Sequence, residues 1–84
     1  MKYIVAKNEN GKDELFTFPN HVHHDCMAEV LCHIKNKMYG NWEREYREPI
    51  SAGFIDSKGN CYGISESLGL TSRPEIDTAL FRSQ

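Results

Sequence analysis

Several familiar signatures are missing from this sequence of 84 residues. It has no GxxxxGK phosphate-binding loop, no GxGxxG dinucleotide fingerprint, and neither the CxxC nor the HExxH spacing. No stretch approaches the ~18 apolar residues that a membrane span requires. The opening residues MKYIVAKNENG lack the apolar region of a secretory signal. The missing motifs argue against the common kinds of nucleotide and metal site. The missing apolar stretches favour a cytoplasmic location.

An excess of charge of one sign is also lacking. Ten Lys and Arg residues stand against twelve Asp and Glu residues, which gives a net charge of −2 and a pI near 6.0. Nucleic-acid binding needs clustered cations that meet the phosphates. We therefore expect no general nucleic-acid binding.

Cysteine is scarce, and its count is odd: Cys26, Cys32 and Cys61. An odd set without a secretory signal indicates reduced thiols rather than a disulfide framework. Cys26 and Cys32 stand six residues apart on a predicted helix, which places them on different faces. We expect no bridge between them.

What the sequence does contain is the composition of one small folded domain. Hydrophobic residues make up 39% and charged residues 26%, which are ordinary globular values. The length leaves room for one core, so we predict a single domain over residues 1–84. A small core and the unpaired edges of the predicted hairpins favour a homo-oligomer, most simply a symmetric dimer.

Two β-hairpins are predicted. The strand-like runs 2–7 and 14–18 are separated by Asn10-Gly11, and Asn-Gly suits a tight turn because both of its positions need φ > 0. The runs 50–55 and 60–65 are separated by the Gly- and Asx-containing turn 56–59. Each pair of runs predicts two antiparallel strands.

Two helices complete the predicted fold. A helix from about His23 to Met38 is predicted because apolar residues recur on one face, namely Val22, Met27, Val30, Leu31, Ile34 and Met38. The capping-box pattern from Ser72 to Glu75, with a proline in the first turn, predicts a short helix from about Pro74 to Phe81. The order ββαββα predicts an α+β fold, an antiparallel sheet of two hairpins with both helices on one face.

Hydroxyl groups, glycine and one arginine come together before the last predicted helix. Arginine presents a fork that holds carboxylate or phosphate, and free N–H groups at a helix start attract anions. The pattern predicts an anionic-ligand site. Its candidate residues are Ser65, Ser67, Gly69, Ser72, Arg73 and Asp77. The alternative is that the hydroxyls cap the helix while Arg73 pairs with Asp77, four residues on.

A second candidate surface combines aromatic residues with arginine, the types enriched in protein-interface hot spots. Its members are Tyr39, Trp42, Arg44, Tyr46 and Arg47. Interleaved glutamates would repel phosphates, so the pattern favours a protein partner over single-stranded nucleic acid. The alternative is a solvated loop in which the tryptophan caps the core.

Histidine and cysteine cluster around the start of the first predicted helix. A metal ion needs three or four converging ligands, whereas Cys26 and His33 stand two turns apart, a rise of about 10.5 Å. We therefore expect no catalytic residue, no metal and no other cofactor, with Cys26 as a small hydrophobe of the core face. The alternative is a small thiol- or metal-dependent enzyme that uses Cys26, His24 or His33.

Four stretches carry a resemblance to known sequences: KYIV near the start, FP before the first helix, SAGF at 51–54 and CYGISESLGLTSRPEID at 61–77. In these stretches, over about half of its length, the chain resembles a group of small uncharacterised proteins encoded by phages and prophages. The resemblance implies a non-catalytic host-defence antagonist that captures a host protein or an anionic small molecule such as a nucleotide. The chain departs from the pattern in its longer NKMYGNWEREYRE segment, which puts a shared surface near Trp42 in doubt.

Overall fold

The chain is a small α+β domain in a computed structural model that describes residues 1–8, 10–32, 46 and 48–84. Its elements are β1 (Lys2–Lys7), β2 (Asp13–Phe18), α1 (His24–Cys32), β3 (Pro49–Ile55), β4 (Cys61–Tyr62), β5 (Ile64–Ser65), β6 (Leu70–Thr71) and α2 (Pro74–Ser83). Neither described helix has the length and apolar character needed to cross a membrane.

The first predicted hairpin is confirmed. Strands β1 and β2 pair antiparallel from Lys2 opposite Phe18 to Lys7 opposite Asp13. Gly11 lies in the turn with φ +78°, a conformation that glycine adopts at no steric cost, but Asn10 has no positive φ, so the predicted turn with φ > 0 at both positions is not formed. Strand β1 also pairs with β3, and the four-stranded antiparallel sheet has the order β2-β1-β3-β4.

The second predicted hairpin is shorter than expected. Its turn is present, but β3 pairs with β4 over only two residue pairs. Gly63 then takes φ +84° and turns the chain out of the sheet, so that β5 pairs with β6 as a separate two-stranded sheet. A side chain at Gly63 would also meet the ring of Phe54, 2.9 Å from an ideal Cβ. The observed order therefore departs from ββαββα at this glycine.

The two helices lie on opposite faces of the four-stranded sheet, and the prediction that they share one face is wrong. Tyr3 and Val5 pack with Leu80 and Phe81 of α2. Ile4, on the other face of β1, packs in one cluster with α1. Residues 3–6 of β1 are all fully buried, as in a strand that is covered on both sides.

Helix α1 packs on the sheet with part of the predicted apolar face, since Leu31 is buried and Met27 packs against the core. His24, Ala28 and Leu31 are buried and follow the i, i+4, i+7 spacing of one helical face. Cys26 and Val30 lie on the opposite side and are exposed, so the expectation that both pack in the core is wrong. The predicted continuation over residues 33–38 lies outside the described residues.

Side chains bind both outer edges of the four-stranded sheet. On the outer side of β2, the side-chain amide of Gln84 accepts from the N–H of Leu15 at 2.9 Å and donates to its carbonyl at 3.0 Å. Next to β4, the N–H of Cys61 donates to the hydroxyl of Thr78 in α2 at 2.9 Å. Bonds of this kind cover part of an exposed edge that could otherwise pair with another strand.

Candidate functional site

The start of α2 is built around a buried carboxylate. Asp77 is fully buried, and its Oδ2 accepts hydrogen bonds from the hydroxyl of Tyr3 at 2.6 Å and from the N–H of Arg73 at 2.9 Å. Its Oδ1 accepts from Nε of Arg73 at 3.1 Å and lies 2.9 Å from Nη2. The helix has no side-chain cap from the predicted capping box. Asp77, four residues on, binds the N–H of Arg73 instead.

The guanidinium of Arg73 is shared between carboxylates of its own chain. Besides Asp77, its Nη2 lies 3.6 Å from Oδ2 of Asp13. Asp13 in turn accepts a hydrogen bond from Nζ of Lys7 at 2.7 Å. That bond, followed by the charges of Lys7 and Arg73, lowers the pKa of Asp13. The pairing of Arg73 with Asp77, one of the two interpretations of the sequence, is therefore observed.

The hydroxyls and glycine of the same segment serve the β5–β6 hairpin. Ser65 is buried, and its Oγ accepts from the N–H of Leu68 at 3.4 Å. Gly69 takes φ +65° in the turn, and the N–H of Ser72 donates to the carbonyl of Gly63 at 3.0 Å. The predicted site residues are thus divided: Arg73 and Asp77 form the start of α2, whereas Ser67 lines a cleft.

This cleft is an open space of about 600 Å³ beside the β5–β6 hairpin. Its lining residues are Lys2, His23, His24, Phe54, Tyr62, Gly63, Ile64, Glu66 and Ser67. The volume lies within the range of about 300–1,000 Å³ that is typical of small-molecule sites. Tyr62 is 50% exposed and Ile64 53% exposed, so two large apolar side chains stand at the cleft without full cover.

One wall of the cleft is aromatic. The rings of Phe54 and Tyr62 lie 5.8 Å apart, centroid to centroid, at an angle of 33°. They face each other across adjacent strands, because Phe54 of β3 is paired with Tyr62 of β4. A flat ligand ring placed against this pair would gain apolar contact on one of its faces.

The charged groups of the cleft are of both signs. Nζ of Lys2 donates to the carbonyl of Val22 at 3.0 Å, which holds the ammonium at the wall and leaves two of its three hydrogens for a ligand. His23 is exposed next to the buried His24. Glu66, in the β5–β6 hairpin, is the carboxylate of the cleft. The cleft can therefore bind an anion at Lys2, against some repulsion from Glu66.

His24 lines this cleft and is only 4% exposed. Phe18 and Phe54 contact it with ring centroids 5.3 Å and 5.6 Å away, both nearly perpendicular to the imidazole. Its Nε2 lies 2.9 Å from the carbonyl oxygen of Gly53. Because a carbonyl only accepts, Nε2 carries the hydrogen. Burial lowers the pKa of His24, and the positive charge of Lys2 lowers it further, against the raising effects of the Gly53 bond and Asp25.

The thiol of Cys61 and the phenol of Tyr3 are both held in their neutral forms. Cys61 is 2% exposed, and burial raises its pKa. Burial raises the pKa of Tyr3 as well, and its hydrogen bond to Asp77 adds to that shift. Among the described residues, no group of three or more His, Cys, Asp and Glu side chains could hold a metal ion.

The predicted protein-interface surface falls mostly outside the described residues, which exclude Tyr39, Trp42, Arg44 and Arg47. Its remaining member, Tyr46, packs on the ring of Phe16 with centroids 4.8 Å apart. The hydroxyl of Tyr46 donates to Oε2 of Glu14 at 3.0 Å. Tyr46 is thus attached to β2, on the α1 side of the sheet.

Most residues of the cleft were not predicted from the sequence. Lys2, Phe54 and Tyr62 belong to three different strands, and no spacing motif connects residues that meet only in the folded sheet. The single local signal is the Tyr62-Gly63 pair at the end of a predicted strand, since glycine within a strand often marks a departure from it. Comparison of the chain with known protein families, with curated proteins and with solved structures gives no significant match.

Proposed function

We propose that this chain is a non-catalytic binding protein that captures an anionic small molecule in the cleft between His24 and the β5–β6 hairpin. The observation that carries the proposal is the pair of half-exposed side chains, Tyr62 and Ile64, that line the cleft near the ammonium of Lys2. The flat apolar part of a ligand would cover Tyr62 and Ile64, and an anionic group on the same ligand would neutralise the ammonium of Lys2. A nucleotide is one molecule of this kind.

The apolar part of the ligand supplies the larger share of the proposed affinity. Covering an exposed aromatic side chain removes apolar surface from water, at roughly 25 cal/mol per Å². An exposed ion pair with Lys2 adds only about 0.2–1 kcal/mol. Tyr62 is therefore the contact that decides whether a ligand binds, and Lys2 decides which ligands with a suitable ring bind better.

Capture without catalysis is supported by the state of the candidate reactive groups. His24 and Cys26, two residues apart on α1, face opposite sides of the helix, so they do not form a thiol–imidazole pair. Cys61 is buried and its pKa is raised, whereas a nucleophilic cysteine needs a lowered pKa. The alternative remains a small thiol- or metal-dependent enzyme that uses Cys26, His24 or His33, of which His33 lies outside the described residues.

The biological setting of the proposal comes from the sequence resemblance. We propose a host-defence antagonist of phage or mobile-element origin that acts in the host cytoplasm by stoichiometric capture. Capture of a host protein through the segment around Trp42 is the second form of the same role. It is supported only by the hot-spot residue types of that segment.

Native mass spectrometry of the purified protein tests the proposal, because it detects a retained ligand and the oligomeric state in one measurement. A retained small anion would support the cleft as its site. A dimer would support the proposed self-association, and a Gln84→Ala variant should form it more readily, since the variant frees the N–H and carbonyl of Leu15 at the edge of β2.

Adenosine monophosphate serves as a defined probe of the cleft in an NMR titration. We expect amide signals of residues 62–67 to shift in the wild-type protein. The shifts should be lost in Tyr62→Ala and kept in Ile76→Ala, a matched control because Ile76 is 56% exposed on α2 and does not line the cleft. Equal weakening in both variants, or shifts confined to α2, would contradict the proposal.

A further inference from the structure

We infer that the cleft ligand donates a hydrogen bond to Nδ1 of His24, so that this histidine selects ligands with an N–H or O–H donor on their flat ring. The inference rests on the proposed function, since it concerns the chemistry of what the cleft captures. It assigns to His24 a contact with the ligand.

The geometry leaves Nδ1 as an acceptor without a partner in the protein. Nε2 donates to the carbonyl of Gly53, so Nδ1 of the neutral ring carries a lone pair. No described residue hydrogen-bonds to Nδ1. Nδ1 is reached by solvent, so water can donate to it in the free protein. A ligand that covers the atom displaces that water, and a donor on the ligand would take its place.

The ring is held firmly enough to discriminate between ligands. Phe18 and Phe54 contact the imidazole with interplanar angles of 87° each, and the Gly53 bond fixes the ring within its plane. Nδ1 therefore cannot turn away to avoid a ligand that lacks a donor. A site built around a fixed polar atom rejects such a ligand, because the atom would then stay unpaired and without water.

Four charged or titratable groups face His24 or stand beside it: Lys2 on β1, His23 before α1, Asp25 on α1, and Glu66 on the β5–β6 hairpin. The charge of Lys2 opposes protonation of the imidazole, and that of Asp25 favours it. When His24 is protonated, Nδ1 becomes a donor and can no longer accept. Selection for a ligand donor should therefore disappear under acid conditions.

Sulfanilate and benzenesulfonate are suitable probes, because they share a flat ring and a permanently ionised sulfonate and differ only in one amino group. We expect sulfanilate to bind roughly three- to tenfold more tightly near neutral pH, the factor that corresponds to one neutral hydrogen bond. The preference should shrink as the pH falls below about 6.5, the ordinary histidine value, because burial lowers the pKa of His24 and delays its protonation to more acid conditions.

Two substitutions separate the nitrogens of the ring. His24→Asn places a carbonyl oxygen near the position of Nδ1 and should keep the preference for sulfanilate without its pH dependence. His24→Gln places an amide nitrogen near Nε2, keeps a donor towards Gly53, and should lose the preference. The thermal midpoint of each variant shows whether it folds, and the pH series on the wild-type protein tests the inference even if a variant does not.

The outcomes distinguish this inference from the function on which it rests. Equal affinities of the two probes at neutral pH, with shifts at residues 62–67 for both, would overturn the role of His24 and leave capture in the cleft intact. Absence of binding by both probes would overturn both proposals. A preference that survives in His24→Gln would show that another group accepts from the amine, and would overturn the inference.

Discussion

The two faces of the sheet differ in how a buried titratable side chain is hydrogen-bonded, Asp77 on one face and His24 on the other. On the α2 side, Asp77 accepts hydrogen bonds on both oxygens from Tyr3 and Arg73. On the α1 side, His24 uses one ring nitrogen for Gly53, and the ring borders an open cleft. The oxygens of Asp77 are paired in a closed network on the α2 side, although Oγ of Ser51 and Nη2 of Arg73 are buried without a hydrogen-bond partner. The α1 side has binding capacity at the cleft that the chain itself does not use.

The difference shows why an arginine beside hydroxyls and a helix start is a poor guide to a binding site. Removing a carboxylate from water costs several kcal/mol, and this desolvation cost is offset only if both carboxylate oxygens are hydrogen-bonded in the protein. In this chain Arg73 and Tyr3 complete them. The cation that faces the cleft is Lys2, in a strand that has no motif around it.

The largest effect is expected on the closed side, for Asp77→Ala. The substitution leaves the hydroxyl of Tyr3 and the guanidinium of Arg73 without their main partner. We expect the free energy of unfolding to fall by about 3 kcal/mol, the lower end for a broken buried pair, because Arg73 stays 30% exposed and near Asp13. Urea unfolding measures this loss. The exposed Glu75 of the same helix turn provides the control, Glu75→Ala, and a loss below about 1 kcal/mol for Asp77→Ala would contradict the closed network.

The next effect contrasts the two cations. Arg73→Ala should reduce the free energy of unfolding by about 1.5–3 kcal/mol, the range for hydrogen bonds to a charged group, and leave benzenesulfonate affinity unchanged. Lys2→Gln should weaken benzenesulfonate binding roughly two- to fivefold, as for an exposed ion pair. Urea unfolding and NMR titration of both variants test the contrast. A loss of benzenesulfonate affinity in Arg73→Ala would indicate that the ligand binds at the start of α2 and not in the cleft.

A smaller effect is the pH dependence of stability that comes from His24. Burial holds its folded-state pKa below the ordinary value of about 6.5, so below that value the unfolded chain binds more protons than the folded one. The free energy of unfolding should therefore fall as pH drops from about 6.5 towards the folded-state pKa, and the contribution should stay constant below it. Urea unfolding at several pH values measures the slope. His24→Asn should remove it, whereas His21→Asn, at an exposed histidine, should keep it.

The smallest effect concerns the acid of the cleft. Glu66→Gln removes the negative charge that opposes an anion near Lys2, and we expect benzenesulfonate to bind roughly two- to fivefold more tightly at low salt. The gain should diminish as salt is added, because exposed charges are screened. Glu75→Gln on α2 is the matched control. An affinity that does not change in Glu66→Gln would place the sulfonate away from Lys2.

Local sequence predicted the parts of the fold in which neighbours along the chain interact. The hairpin around Asn10-Gly11 is present, though with positive φ at Gly11 alone, and so is the Asp56-to-Gly59 turn, where Asp56 accepts from the N–H of Lys58. Helix α2 begins at Pro74 as expected and ends at Ser83, two residues later than predicted. The ion pair of Arg73 with Asp77 was one of two interpretations, because a four-residue spacing can be recognised without a structure.

The tertiary structure alone decided which sheet face each helix covers and where the cleft lies. Residues 3–6 of β1 are all buried, so strand periodicity cannot assign them to one helix or the other. The contacts that matter join residues far apart along the chain, such as His24 with Gly53, 29 residues away, and Tyr3 with Asp77, 74 residues away. Side-chain spacing reports only neighbours within a turn of helix or along one strand. The pairing of β1 with β3, and the turn of the chain at Gly63, bring Lys2, His24 and Tyr62 to one cleft.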